Sequence, residues 1–269
     1  MRPLAMNEFT TMQWSFEEDV RAYAAAGYQG IGAVRDKVEA HGLDRAVQLL
    51  KEHHLKVADL CIAGGFTQPT PEARAQKIED ACRGIEMAAS LEADALALMT
   101  GPPGALTPEA SFALLRQALE QILPCAEQNG VRLALEPTHP MYRGVSACVM
   151  TLGEAMDLCE AIDSPFLGVW LDTYHIWWDN TLLQQIPRAR GRIFGVHVND
   201  WKQETRSLLD WGVPGEGIIP LRRLLDAIEA AGWDGFYSVE IFSESSQPEE
   251  YPDVLRRCRA GFDAIWASG

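Results

Sequence analysis

Glu136, Asp172, His197 and Glu240 each close an apolar stretch of strand length: Val131-Arg-Leu-Ala-Leu-Glu136, Phe166-Leu-Gly-Val-Trp-Leu-Asp172, Arg192-Ile-Phe-Gly-Val-His197 and Gly235-Phe-Tyr-Ser-Val-Glu240. A strand buried on both faces reads as a continuous apolar run, and its first polar residue marks where it leaves the sheet. One acid after one strand is ordinarily a helix cap. Recurrence in four successive units asks for another explanation. If the four ends converge, three carboxylates and one imidazole offer oxygen and nitrogen donors without a thiolate. That set suits one divalent ion, Mn²⁺ first, with Mg²⁺, Co²⁺ and Zn²⁺ as alternatives. Four protein ligands on an ion that accepts six leave two places for adjacent substrate oxygens, and a chelated hydroxyketone has an acidified α-proton. Glu136 and Glu240 are the pair that would remove and return such a proton.

Other residues are placed around this set by position. His175 follows Asp172 by three residues and is a candidate donor to a substrate oxygen; its structural alternative is packing against Trp177 and Trp178. His139, in Glu136-Pro-Thr-His-Pro140, belongs near the mouth, and Arg35 and Lys37 are rim cations that could meet substrate oxygens or simply face solvent. Asp200 could orient a ligand or cap the next segment. Trp201 is one of several aromatics crowded into the later loops, with Tyr142, Tyr174, Trp177, Trp178 and Trp211. Such rings stack on the C–H faces of sugars and also seal loops.

The elements that must position these groups alternate strictly. Strands are expected at 3–7, 28–34, 56–62, 93–99, 131–136, 166–172, 192–198 and 235–240. Helices are expected between them: from the capping box Ser15-Phe-Glu-Glu18 to Gly27, over 44–53, 71–90, 107–129, 151–162, 180–186 and 220–231, with a last one over 249–266. Alternation implies parallel strands joined by right-handed crossovers. Eight units in 269 residues fit a single-domain (β/α)8 TIM barrel over residues 1–269, an α/β fold. An open doubly wound sheet would carry a glycine-rich phosphate turn after its first strand, and none is present. In a barrel all eight carboxyl ends meet around one axis, which is what turns four separate residues into one site.

Composition narrows the partners. With 23 Lys plus Arg against 38 Asp plus Glu the net charge is −15, which opposes phosphate backbones and anionic membranes, so neither nucleic acid nor a membrane is expected. The six cysteines are scattered without a CxxC pair, as buried free thiols would be. No signal-peptide core or bilayer-length apolar run stands out, and a cytoplasmic location is expected. The Trp-rich region 174–211 could fold over a substrate or join copies into a homo-oligomer.

Leu135-Glu136-Pro137, Leu171-Asp172-Thr173-Tyr174-His175, Val196-His197-Val198-Asn199-Asp200, Val213-Pro-Gly-Glu-Gly217 and Val239-Glu240 resemble the signatures of the sugar phosphate isomerase/epimerase family, the xylose-isomerase-like TIM barrels. The likeness covers nearly the whole chain and is most specific over 131–242. It implies metal binding by Glu136, Asp172, His197 and Glu240, proton exchange by the two glutamates and substrate binding by His175. A longer segment between Trp201 and Gly212 leaves the substrate-binding arginine of the ketose epimerases without a clear counterpart; Arg206 is the candidate. The expected function is a divalent-metal-dependent isomerase or epimerase moving a proton through the metal-stabilised enediolate of a small keto-sugar, cyclitol or related polyol. The alternative is a lyase or dehydratase, of the inosose dehydratase kind or one that cleaves a 3-keto-glycoside, working through the same enolate. A nuclease on this barrel would need more histidines near strands two to four, where Arg35, Cys61, Gly64 and Thr100 stand instead.

Overall fold

A computed structural model describes residues 2–243 and 247–267. Eight parallel strands close into a barrel: β1 (Leu4–Asn7), β2 (Gly30–Val34), β3 (Lys56–Gly64), β4 (Leu96–Met99), β5 (Leu133–Leu135), β6 (Leu167–Asp172), β7 (Ile193–Val198) and β8 (Tyr237–Val239), with β1 bonded to both β2 and β8. The helices between them bear out the alternation. Ser15 and Glu18 form the expected capping box on the helix Phe16–Ala25, and Thr151 with Glu154 forms a second on Leu152–Ile162.

β2 ends at Val34, and a helix, Arg35–His41, starts directly at its end. Two local expectations are corrected. The helix expected over 180–186 shrinks to one turn, Leu182–Gln185, followed by a 3₁₀ turn over Ile186–Ala189, because Pro187 lacks the amide a continuing helix would use. The last helix begins at Tyr251 after a 3₁₀ turn at Pro248–Glu250, since Pro248 likewise favours a start.

Side chains alternate across a strand, so the residue two before each candidate ligand shares its side of the sheet. Those residues are Ala134, Trp170, Gly195 and Ser238, all buried. Trp170 packs with Cys61, Ala95, Ala97, Ala134 and Phe194 into a small cluster distinct from the large core between strands and helices. It fits only because its neighbour across the β6–β7 ladder is glycine: a Cβ on Gly195 would stand 2.0 Å from the indole ring. The indole thus fills the barrel beneath the candidate site, its ring 4.7 Å from that of His197.

Candidate active site

The four strand ends do converge. Asp172 is the last residue of β6 and is level with His197 on β7, while Glu136 and Glu240 are the first residues past β5 and β8. Each offers a ligand atom, and these atoms lie within 4.8 Å of one another, all in buried residues. His197 Nδ1 lies 3.1 Å from Glu240 Oε2, 3.6 Å from Asp172 Oδ2 and 3.9 Å from Glu136 Oε1. It is buried and makes no hydrogen bond. Three buried carboxylates around an unpartnered imidazole nitrogen need compensating positive charge, and the donor types and spacing fit a divalent cation.

The electrostatics follow from that crowding. Burial raises the Glu240 pKa to about 7, with the charges of Asp172 and Asp59 adding to it against His197. Burial pushes Glu136 well above the usual carboxylate range, reinforced by the Asp172 and Glu240 charges. Asp172 goes the other way: burial alone would raise it, but His175, His197 and the amide of Asn199 together hold it low. Burial would likewise lower His197, yet the carboxylates of Glu240, Asp172 and Asp59 raise it well above the ordinary value.

Asp172 is the most firmly held of the four. Its Oδ1 accepts from the amides of Tyr174 (2.7 Å) and His175 (3.3 Å) at the start of the short helix Thr173–Ile176. Asn199 Nδ2 donates to both of its oxygens at 3.0 and 3.3 Å, and Thr173 Oγ1 holds Asn199 Oδ1 at 2.7 Å. Asn199 and Asp59 are the participants that sequence reasoning missed. For Asp59 a signal existed, a lone acid inside the apolar run Val57-Ala-Asp-Leu-Cys61.

The remaining candidates divide. His175 is buried beside Asp172 with its pKa lowered by burial to about 4, and its Nδ1 accepts the His139 amide at 3.4 Å. His139 is half-buried, its pKa also lowered by burial, and its ring lies 4.9 Å from Trp201 and 5.7 Å from Trp178. Trp201 stacks in turn on Tyr174 at 4.6 Å, so the β6 and β7 loops present one aromatic wall.

The two arginines are engaged elsewhere. Arg35 is buried and makes a two-pronged pair with Asp80 at 2.9 and 3.0 Å, tying the end of β2 to the helix Pro71–Ser90. Arg206 forks onto Asp210 with two contacts of 2.8 Å, and Lys202 holds the same carboxylate at 2.7 Å. Lys37 is turned inward onto Asp19, which is buried. Asp200 proves to be a cap: it accepts from the amides of Trp201, Gly215, Gly217 and Ile219 at 2.8 to 3.0 Å. The long segment after it is a hairpin, Asp200–Trp201 paired with Trp211–Gly212, pinned to the β5 loop through Tyr142, whose hydroxyl donates to Leu208 O and accepts from Trp211 Nε1.

A closed parallel barrel with a buried histidine–carboxylate cage where its strands end defines the class of protein. The chain belongs to the xylose isomerase-like TIM barrel family, whose model matches residues 20–260. The inosose isomerase of Halalkalibacterium halodurans is 30% identical over 138 residues, 49% of this chain and 46% of that protein. This chain therefore aligns with about half the length of that curated relative. The crystal structure of protein SMc04130 from Sinorhizobium meliloti 1021 is 37% identical, with a TM-score of 0.94 and 98% of both chains covered. The IOLI protein, solved with a bound zinc atom, shares the fold at 21% identity, with a TM-score of 0.85 over 98% of both chains. Curated proteins similar to part of this chain carry isomerase, epimerase and dehydratase names. Among the described residues no helix is long and apolar enough to cross a membrane.

Proposed function

We propose that the protein is a divalent-metal-dependent sugar isomerase or epimerase acting on a keto-sugar, cyclitol or related polyol. The observation that carries this reading is the pair of buried glutamates, Glu136 after β5 and Glu240 after β8, which come from strands three apart in the barrel to the same nitrogen of one histidine. Glu136, Asp172, His197 and Glu240 would hold the ion, with manganese the best match to a donor set of carboxylates and one imidazole, and zinc, found on the IOLI protein, the competitor. When bound, the ion supplies Lewis-acid polarisation of a substrate carbonyl.

The chain's own groups do the rest. Buried carboxylates placed beside a bound substrate are suited to taking a proton from carbon and giving it back. Glu136 and Glu240, coming from β5 and β8, can serve different faces or different carbons of the substrate. His175, kept neutral by burial, can hydrogen-bond a substrate hydroxyl without adding charge. His139 and Trp201 offer the aromatic wall on which a sugar's apolar face rests.

Metal-dependent exchange of solvent deuterium into a panel of ketoses, inososes and 3-keto-glycosides tests this, with Glu240→Gln as the comparison. Label in a product of unchanged composition, lost in the variant, supports the reading. Loss of water or release of an aglycone moves the assignment to a lyase, a reaction class represented among the similar proteins by a mannonate dehydratase. Absence of exchange with bound metal sinks the proton-transfer chemistry.

A further inference from the structure

Behind the cage His197 meets a second group of ligand-type residues. Asp59, Cys61 and His197 bring a carboxylate oxygen, a thiol and an imidazole nitrogen within 4.8 Å of one another, all buried. A second ion is the obvious thought, but the place is taken. The side-chain nitrogen of Asn7 sits among the three, 2.8 Å from Asp59 Oδ1, 3.4 Å from His197 Nε2 and 3.5 Å from Cys61 Sγ. Its orientation is fixed, because Asn7 Oδ1 accepts the amide of Phe9 at 2.9 Å and the NH₂ must therefore point inward.

The arrangement is built into the ladder. Asn7 on β1 is level with Gly32 on β2, and Gly32 with Asp59 on β3. Side chains two strands apart do not normally touch; here they do because the middle position has none. A Cβ on Gly32 would stand 2.5 Å from both Asn7 Nδ2 and Asp59 Oδ1. Assigning the two Asn7 hydrogens to Asp59, its nearest contact, and to Cys61 leaves Asp59 Oδ1, 3.4 Å from Nε2, as the acceptor for the imidazole on this side. The other oxygen of Asp59, buried, has no partner.

We propose that Asp59, locked by Asn7 across Gly32, is the positioning residue of the cage: it accepts the Nε2 proton of His197 and so presents Nδ1, the nitrogen facing the three carboxylates, as the ligand atom. An imidazole has one lone pair to give, and the hydrogen bond at one nitrogen decides which nitrogen gives it. This rests on the metal reading above. It goes further in assigning the ligating atom and in making β3, which carries none of the four ligands, part of the site.

The test uses ¹⁵N-histidine-labelled full-length protein loaded with Zn²⁺ alone, read by NMR, together with competition against a chromophoric chelator for the wild type and Asp59→Asn. Expected are a His197 signal with Nε2 protonated and Nδ1 bound to zinc, and a zinc affinity about 10- to 100-fold lower in the folded variant. Zinc on Nε2, or undiminished affinity in the variant, overturns the proposal while leaving the metal site standing. A wild type that takes up no zinc overturns the metal reading and this inference with it. Should Asp59→Asn fail to fold, the wild-type spectrum decides alone.

Discussion

Nδ1 of His197 lies 3.1 Å from Oε2 of Glu240, so a proton and a cation would compete for the same gap. Without metal the balance tilts toward the proton: Glu240 has its pKa raised by burial to about 7, and Glu136 and His197 are raised as well. All three must lose protons to act as ligands, so affinity for Mn²⁺ should fall at least tenfold per pH unit below about 7. Glu240 also sets a sign for the metal-free fold. A carboxyl whose folded pKa lies above its unfolded value of 4.5 contributes stability below 4.5 and loses it as pH rises through about 7. Thermal unfolding of the metal-free and Mn²⁺-loaded protein between pH 5 and 8 should show a gap that widens with pH; a constant gap would refute this.

Glu240→Gln keeps shape and removes the charge. Solvent deuterium exchange should fall by roughly 10² to 10⁴, the usual worth of a general base. Equal exchange in wild type and variant would remove Glu240 from the proton path.

Asn199→Ala takes away both bonds to the Asp172 carboxylate and one acceptor of the Thr173 hydroxyl, which keeps the Asn199 carbonyl at 3.0 Å. The loss of stability should be about 1–3 kcal/mol in denaturant unfolding, with weaker metal binding alongside. Unchanged metal affinity would show that the helix-start amides hold Asp172 by themselves.

Arg35→Ala and Arg206→Ala separate two kinds of arginine. The Arg35 side chain is 9% exposed and that of Arg206 69% exposed. Removing the first should destabilise the protein measurably, whereas the second should cost under about 1 kcal/mol. Neither should raise KM measurably, since both guanidiniums are engaged by Asp80 and Asp210 rather than free to meet a substrate. A large KM effect from either would restore the rim role expected from the sequence.

Gly195→Ala should cost about 1–3 kcal/mol through forced displacement of Trp170, and should disturb the metal site because that indole backs His197. A variant of wild-type stability would mean the barrel interior yields more than its packing implies.

The barrel and the four convergent side chains were legible because both rest on one-dimensional signals, a strict alternation of elements and a repeated polar stop after an apolar run. Asp200 was legible only as a choice between two roles, since its four amide partners come from as far as Ile219. Arg35 looked like a rim cation for want of any sign that Asp80, 45 residues on, would face it. Asp59 and Asn7 lay further out of reach. Their bond depends on the ladder placing Gly32 between them, and register across three strands is not written along the chain.

The Asp200 carboxylate gathers the start and the end of the β7 excursion onto one side chain, tying Trp201 to Gly215, Gly217 and Ile219. Whatever is spliced between these anchors hangs from a closed ring. Segment 202–210 should therefore tolerate changes in length or composition without moving His197, three residues before Asp200, which leaves the cage insulated from variation in the loop above it.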